Sequence, residues 1–134
     1  MTDKELVLKA VKVMDNAYAP YSEFKVGAAI FTEEGKVFGG CNIENASYPA
    51  GICAERAAIG SAVSSGTKKF IKIAIVGGKN GKITDFCPPC GICRQVLSEF
   101  CDEDFEILLY NGKRIKSYRL KELLPHNFGS DELC

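Results

Sequence analysis

The spacing of apolar residues changes along this chain, and the changes predict an alternation of helices and strands. Between residues 3 and 18, apolar side chains recur every three or four positions with lysines between them, which predicts an amphipathic helix. Pro20 limits this helix, because proline disfavours helical backbone at its own position and at the residue before it. Two further segments of small and apolar residues, 52–63 and 90–101, predict helices that pack closely inside the fold.

Apolar runs rich in β-branched and aromatic residues predict the strands. Residues 24–31 and 36–43 flank a polar turn that ends in Gly35, which predicts a β-hairpin. The remaining predicted elements are strands at 70–76, 105–110 and 114–117 and a short helix at 119–124. Two connections run from a strand through a helix to another strand, so the pattern favours a mixed sheet in a layered α/β structure. We expect residues 1–134 to form a single domain.

The charge balance excludes several classes of partner. The chain has 17 lysines and arginines and 17 aspartates and glutamates, so its formal net charge is zero. Without a basic stripe it has no electrostatic means of attracting nucleic acid or an anionic membrane surface. No apolar run is long enough to span a bilayer, and the N-terminus lacks the charged-then-apolar order of a signal peptide. We therefore expect a cytoplasmic protein with neither nucleic acid nor a membrane as a partner.

Cysteine is the residue type that changes this picture. The chain has seven cysteines, and an odd number fits a disulfide framework poorly, so we expect free thiols in a reducing compartment. Three stand alone in the sequence and are interpreted as small buried residues or incidental thiols: Cys41, Cys101 and Cys134. Clustered thiols in such a compartment indicate metal or redox chemistry, and the clustered ones are Cys53, Cys87, Cys90 and Cys93.

Two short stretches carry most of the chemical information: Cys53-Ala54-Glu55 and Pro89-Cys90-Gly91-Ile92-Cys93. The two cysteines of the second stretch are three positions apart on a predicted helix and share a face. Its proline is expected in the first helical turn, so both stretches would begin helices, where unpaired amides and the helix dipole favour thiolates. Three thiolates on one zinc ion leave the fourth position to water, as in catalytic sites. The carboxylate beside them is placed to move protons.

Charge adds a further requirement to this site. Zinc with three thiolates carries a formal charge of −1, which would weaken the ion as a Lewis acid. Arg56 follows three positions after Cys53 on the same predicted helix, so we expect its guanidinium to turn back to that sulfur and offset the charge. Arg94, next to Cys93, is a second positive group beside a ligand.

Three other interpretations of the cysteines remain open. Cys87-Pro88-Pro89-Cys90 has the spacing of a redox pair, although it lies late in the chain and another cysteine follows at the same spacing. All four clustered cysteines together would make a closed structural zinc site, although Cys53 has no partner at the usual spacing. Structural thiols without a metal would leave Glu55 at the start of a helix without a role.

The spacing Cys53-x-Glu55 followed by Pro89-Cys90-x-x-Cys93 is similar to the zinc-deaminase pattern H-x-E…P-C-x-x-C in its three-cysteine form. Over nearly its whole length the chain resembles the small, homotetrameric, three-cysteine class of cytidine deaminases. The stretches that carry the resemblance, in family order, are 21–29, 42–48, 53–56, 89–95 and 123–125 with Phe128 just beyond. This resemblance implies a three-layer α/β domain with a mixed central sheet of about five strands and helices on both faces.

The resemblance also implies a reaction. This is the hydrolytic deamination of cytidine and deoxycytidine to uridine and deoxyuridine with release of ammonia, in pyrimidine salvage. One zinc ion per subunit, held by Cys53, Cys90 and Cys93, would convert water into a hydroxide that attacks C4 of the ring. Glu55 would shuttle the protons. The side chains implied to support the metal ligands are Arg56 and Gln95.

Six residues are implied to contact the substrate: Phe24, Asn42, Glu44, Tyr48, Ala54 and Phe128. The ring of Phe24 would lie against the pyrimidine face. Asn42 and Glu44 would hydrogen-bond the ribose hydroxyls and so select nucleosides over free bases. The resemblance further implies a homotetramer with shared active sites, in which Tyr48 and Phe128 reach the sites of neighbouring subunits.

Some features depart from the family pattern or fit a rival function. Cys87 has no counterpart as a ligand and is interpreted as a bystander, because a catalytic metal needs an open position. His126, the single histidine, lies in the polar tail and is not expected to be a ligand. A blasticidin-type deaminase is the nearest rival enzyme, and the stretch 42–45 and Phe128 disfavour it. Zero net charge disfavours an editor of polynucleotides, and the non-enzymatic rival is a four-cysteine zinc module.

Overall fold

A five-stranded sheet lies at the centre of the computed structural model of the protein, which describes residues 1–133. The helices are α1 (Asp3–Met14), α2 (Ala54–Ser64), α3 (Gly91–Phe100) and α4 (Leu120–Leu123). The strands are β1 (Phe24–Thr32), β2 (Val37–Cys41), β3 (Phe70–Lys79), β4 (Glu106–Tyr110) and β5 (Ile115–Arg119). Their order is β2-β1-β3-β4-β5, with β3 and β4 parallel and the other neighbours antiparallel. The predicted mixed sheet is confirmed.

Helices cover both faces of this sheet, so the fold has the three expected layers. On one face, α1 buries the side chains of Leu6, Val7, Ala10 and Met14. On the other face, α2 and α3 pack over the sheet and contribute buried residues that include Ala58 and Leu97. Consecutive residues of a strand point to opposite faces, and β1 therefore gives Ala28 to the second core and Ala29 to the first.

The first helix is shorter than its hydrophobic pattern predicts. Thr2 caps its start, since the Thr2 hydroxyl accepts a hydrogen bond from the amide of Glu5 at 3.1 Å. The helix ends at Met14 rather than at residue 18. Tyr18 instead pairs its backbone with a distant loop: its amide donates to the Asn42 carbonyl at 3.0 Å, and its carbonyl accepts from the amide of Glu44 at 2.8 Å. This pairing requires extended backbone, and it fixes the loop that follows β2.

Two glycines let helices lie directly against the sheet. A Cβ placed on Gly27 would come within 2.2 Å of the Ala10 carbonyl oxygen in α1. A Cβ on Gly40 would lie 2.3 Å from the Ala58 amide nitrogen and 2.5 Å from the Ala54 carbonyl oxygen in α2. Because both contacts are with helix backbone, no side-chain movement relieves them. The absence of a side chain at Gly40 therefore allows the short distance between α2 and the sheet.

The helices differ in length but share one property. Across the described residues 1–133, none combines the length and the apolar character that crossing a bilayer requires.

Replacing Gly40 with alanine should therefore displace α2 and destabilise the fold. We expect Gly40→Ala to lower the free energy of unfolding by about 1–3 kcal/mol, the usual cost of overpacking, measured by urea denaturation. Gly60→Ala is the matched control within α2, because Gly60 is exposed and a Cβ there meets nothing within 4 Å. The control should be neutral or more stable, since alanine is the better helix former. Equal stability of Gly40→Ala and wild type would contradict the close packing of α2 against Gly40.

Candidate metal centre and adjoining cavity

Three cysteine sulfurs meet where the N-termini of α2 and α3 converge. Cys53 is the N-cap residue of α2, Cys90 is the N-cap residue of α3, and Cys93 lies in the first turn of α3. Their Sγ atoms all lie within 4.8 Å of one another, and those of Cys53 and Cys90 are 3.6 Å apart. The structure thus brings together the three residues predicted to bind zinc.

Local backbone interactions place each of these cysteines. Ile52 forms two backbone hydrogen bonds of 3.0 Å with Ile43, so α2 begins at Ala54, two residues later than predicted. Pro89 stands just before Cys90, outside α3, which corrects the prediction that this proline occupies the first helical turn. The Cys90 sulfur instead acts as the helix cap and accepts a hydrogen bond from the Cys93 amide at 3.4 Å. The sulfur thereby pairs an amide of the first helical turn that has no backbone partner.

The separation of the sulfurs matches a tetrahedral ion. With zinc–sulfur bonds of about 2.3 Å, tetrahedral geometry puts two sulfur ligands about 3.8 Å apart. The observed 3.6 Å between Cys53 and Cys90 is close to that value. Three protein ligands fill three corners of the tetrahedron and leave the fourth free. The cluster therefore fits a metal ion held by three thiolates with one open position.

Arg56 supplies positive charge at this cluster. Its Nη2 donates to the sulfur of Cys53 at 3.4 Å, as its position three residues later on the helix predicts. Hydrogen bonds from the Cys93 thiol and from Arg56 lower the pKa of Cys53 to about 5, whereas the same sulfur–sulfur hydrogen bond raises the pKa of Cys93. The Nε of Arg56 is buried and, within residues 1–133, has no hydrogen-bond partner. The hydrogen bond from Nη2 to the Cys53 sulfur is therefore the contact that directs this guanidinium at the cluster.

Arg94 and Gln95 have a different role from Arg56. The guanidinium of Arg94 donates to the carbonyl oxygens of Pro89 at 2.8 Å and Leu123 at 2.7 Å. The side-chain amide of Gln95 donates to the carbonyl of Phe128 at 2.7 Å. Both side chains therefore hold the C-terminal segment against the start of α3. Arg94 offsets the thiolate charge less directly than its position beside Cys93 suggests, because its donors are directed at backbone oxygens.

Glu55 is a buried carboxyl group at the start of α2. Its exposed fraction is 3%, and it follows Cys53 by two residues, in the first helical turn. Burial raises the pKa of Glu55, and the negative charge of the Cys53 thiolate adds to this effect. A carboxyl group whose pKa is shifted toward neutrality is suited to both accept and donate a proton.

An open cavity of about 600 Å³ adjoins the sulfur cluster. Its volume lies in the range of small-molecule sites, about 300–1,000 Å³. Its wall includes the sulfur cluster and its neighbours, which are Cys53, Glu55, Arg56, Cys87, Pro88 and Cys90. Its wall also includes polar and aromatic residues from the segments after α1 and after β2, among them Tyr21, Ser22, Asn42, Glu44, Asn45 and Tyr48. A ligand in the cavity can therefore contact both the carboxyl group of Glu55 and these polar segments.

The predicted substrate contacts divide into two groups. Asn42, Glu44 and Tyr48 line the cavity together with Glu55. Within residues 1–133, the cavity wall does not include the other three predicted contacts: Phe24, Ala54 and Phe128. Ala54 is fully buried in the core, and Phe128 lies on the tail with 57% of its surface exposed. Phe24 exposes 40% of its surface, and its ring lies near Gly77, where an added Cβ would come within 3.0 Å of it.

Asn42 is held rigidly at the cavity wall. Its side-chain oxygen accepts from the amide of Val26 at 2.8 Å, and its side-chain nitrogen donates to the carbonyl of Phe24 at 2.8 Å. The amide group thus extends the pairing of β1 beyond the end of β2. Each end of this amide keeps one further hydrogen-bonding position for a ligand.

Two lining residues, Tyr21 and Ser22, were missed as site residues by the sequence reasoning. The sequence marks them only as the end of the first helix, after Pro20. The signal that pointed to them is their place in the stretch 21–29, which carries part of the family resemblance. Both donate hydrogen bonds to Glu44 across the cavity wall.

The remaining cysteines and His126 lie outside the sulfur cluster. Cys87 lines the cavity but belongs to no close group of sulfurs in residues 1–133, and burial raises its pKa to about 11. Burial also raises the pKa of Cys41, and that of Cys101 to about 12, so both stay protonated at neutral pH. Cys134 lies outside the described residues. His126 lies on the tail, in a small hollow with Cys101.

Comparison with known proteins supports the interpretation of the three-cysteine cluster as a zinc site. The family model described as the cytidine and deoxycytidylate deaminase zinc-binding region matches residues 1–109. A cytidine deaminase of Sporosarcina psychrophila is 40% identical over 134 residues, covering 99% of this chain and 96% of the relative. The crystal structure of cytidine deaminase from Burkholderia pseudomallei superposes with a TM-score of 0.87 at 44% identity, covering 96% of this chain and 100% of that one. A blasticidin-S deaminase of Bacillus cereus is 35% identical over 127 residues, covering 92% of this chain and 89% of the relative.

The position of Cys87 predicts that it is dispensable for metal binding. Cys87→Ser should retain the zinc content of the wild type, because its sulfur lies outside the three-sulfur cluster, measured by atomic emission on purified protein. Cys53→Ser is the matched control and should lose most of the bound zinc. Loss of zinc from Cys87→Ser would favour the closed four-cysteine site.

Proposed function

Because the chain belongs to the cytidine and deoxycytidylate deaminase family, we propose that it is a zinc-dependent cytidine deaminase. In this reaction water replaces the amino group on C4 of cytidine or deoxycytidine, and the products are uridine or deoxyuridine and ammonia. The observation that carries this proposal is the three-sulfur cluster. Two of its cysteines, Cys53 and Cys90, line the same cavity as the buried Glu55. We also propose that residues 1–134 form one domain, because a single sheet supplies both cores.

In this proposal, Cys53, Cys90 and Cys93 hold one zinc ion per subunit. When bound, zinc supplies an activated water as the nucleophile for C4 of the pyrimidine ring. The three thiolates bring excess negative charge, and Arg56 offsets part of it through its hydrogen bond to Cys53. The helix N-termini that carry the ligands add positive partial charge from the same side.

Glu55 carries the protons in the proposed reaction. As a carboxylate it takes one proton from the attacking water and delivers it to N3 of the ring. It then takes the proton of the hydroxyl now on C4 and gives it to the amine, which leaves as ammonia while the C4 carbonyl forms. One group does both tasks because burial holds its pKa above the ordinary range of a carboxyl group. Its position in the first turn of α2 keeps it two residues from the metal ligand Cys53.

The polar loop after β2 binds the sugar in the proposed complex. Asn42 and Glu44 hydrogen-bond the ribose hydroxyls, since both line the cavity and both keep a free hydrogen-bonding position. A free base lacks these hydroxyls. It would leave the side chains of Asn42 and Glu44 without hydrogen-bond partners and should therefore bind less tightly than a nucleoside. We also propose that Phe24 and Ala54 contact the base, with the ring of Phe24 against the pyrimidine face.

Exposed aromatic side chains support a shared active site. Tyr48 and Tyr21 line the cavity and expose 81% and 53% of their surface, and Phe128 on the tail exposes 57%. Large aromatic side chains left exposed are typical of surfaces that meet another protein. We propose a homotetramer in which Tyr48 and Phe128 complete the cavities of neighbouring subunits.

A blasticidin-type aminopyrimidine deaminase is the alternative activity, because a relative of that description also aligns with most of the chain. It would use the same metal centre and the same proton carrier. The two activities differ in what the polar end of the cavity binds.

The proposed activity has a direct assay. Purified, zinc-loaded protein should convert cytidine to uridine, followed as the loss of cytidine absorbance and confirmed by ammonia release. Blasticidin S and free cytosine, tested in parallel, should react much more slowly, because neither presents the ribose hydroxyls to Asn42 and Glu44. Absence of cytidine turnover by zinc-loaded protein would refute the proposal, and faster turnover of blasticidin S would favour the alternative.

The role of Glu55 makes a second prediction. Glu55→Gln should keep its fold and zinc but lose about 10²- to 10⁴-fold in kcat, the contribution typical of one general acid–base group. Glu99→Gln is the matched control, because Glu99 is exposed on α3; it should turn over cytidine like wild type. Stopped-flow or steady-state rates, with zinc content measured on the same samples, separate loss of chemistry from loss of metal. An active Glu55→Gln would show that another group moves the proton.

A further inference from the structure

The carboxylate of Glu44 is held in place by one short turn. Its Oε1 accepts hydrogen bonds from the backbone amides of Tyr21 at 2.9 Å and Ser22 at 3.1 Å. Its Oε2 accepts from the hydroxyl of Ser22 at 2.5 Å. All three donors come from residues 21 and 22, more than twenty positions away in sequence. Glu44 and Ser22 also line the cavity that contains Glu55.

Ser22 has no hydroxyl proton left for a ligand. Its one hydroxyl proton goes to Glu44, and its oxygen accepts from the amide of Phe24 at 3.0 Å. The residue between them, Glu23, has a φ of 59°, in the left-handed region that side chains other than glycine seldom adopt. The turn is therefore held in one conformation by Ser22, with the carboxylate of Glu44 on one side and the first residue of β1 on the other.

The geometry leaves one acceptor position on the carboxylate. A carboxylate has about four lone-pair positions, and three are occupied by the turn. Both positions of Oε1 are used, so the remaining one is on Oε2, beside the Ser22 hydroxyl. The hydrogen bond from Ser22 also lowers the pKa of Glu44, as do the two backbone amides. An ionised carboxylate can only accept, so the group it selects in a ligand is a hydrogen-bond donor.

We propose that Ser22 is a positioning residue for the sugar: it aims the free acceptor of Glu44 Oε2 at a ribose hydroxyl and thereby sets the preference for nucleosides that carry it. This inference rests on the proposed function, since it deepens the substrate selection of the same site. Ser22 does not touch the substrate in this scheme and acts through Glu44. Its loss should weaken ground-state binding of the sugar and leave the chemistry at the metal end unchanged.

Ser22→Ala tests the proposal through a split between KM and kcat. For cytidine, KM should rise about tenfold or more, the usual effect of losing an aimed hydrogen bond to a charged group, while kcat stays within about twofold. For 2′,3′-dideoxycytidine, which lacks both hydroxyls, KM should change less than about twofold. Ser22→Thr, which keeps the hydroxyl at an exposed position, should restore the cytidine KM.

Two controls separate positioning from a structural role. Ser117→Ala removes a comparable hydrogen bond, from the exposed Ser117 hydroxyl of β5 to Glu106 of β4 at 2.7 Å, and should leave both KM values unchanged because neither residue lines the cavity. In a Glu44→Gln background, Ser22→Ala should add little, because the two changes act on one interaction. Full additivity of the two changes would overturn the proposal.

The outcomes distinguish this inference from the function on which it rests. No cytidine turnover by the wild type would refute the proposed function and the inference with it. An active Ser22→Ala with unchanged cytidine KM, or with equal KM increases for both substrates, would refute the inference alone. If Ser22→Ala does not fold, Ser22→Cys keeps the size of the side chain with a weak donor, and the same pattern of KM values is required of it.

Discussion

Three cysteine sulfurs have to lie within 4.8 Å of one another, and most of the structure around the cavity serves that constraint. Two of the sulfurs belong to N-cap residues, where helix amides lack backbone partners. Arg56 adds a full positive charge beside Cys53. The convergence depends in turn on how closely α2 lies on the sheet, and that distance is set by the absence of a side chain at Gly40. Glu55 is buried because it shares the first turn of the same helix.

The elements that local patterns determine were predictable from the sequence. The sheet, the hairpin and the four helices follow from apolar periodicity and turn residues, and the clustering of Cys53, Cys90 and Cys93 follows from their spacing. The prediction was wrong where distant backbone segments pair. Tyr18 leaves the helical pattern to pair with the loop after β2, and Ile52 delays α2 by pairing with Ile43. Hydrophobic periodicity contains no information about such partners, because they are far apart in sequence.

Side-chain directions within the site divide in the same way. Arg56 was predictable because its partner lies three residues away on one helix. Arg94 also stands beside a ligand, yet its donors reach the carbonyls of Pro89 and Leu123, and the second of these depends on the position of the chain's last helix. Ser22 was missed for the same reason: its partner Glu44 is 22 residues away. In both cases the contact is a consequence of the assembled fold.

The cavity is therefore built from two halves that depend on different interactions. The sulfurs are carried by helices packed on the sheet, and the polar part of the wall by two loops that hydrogen-bond to each other and to β1 through Asn42, Glu44 and Ser22. The two halves are joined by the backbone pair between Ile43 and Ile52. A side-chain change at Asn42, Glu44 or Ser22 leaves this backbone pair in place, so it can alter which ligand is held without moving the sulfurs or Glu55. Sites of this construction allow substrate preference to change while the chemistry is kept. The 35% identity to a blasticidin-S deaminase shows that chains named for different deaminations can share much of this sequence.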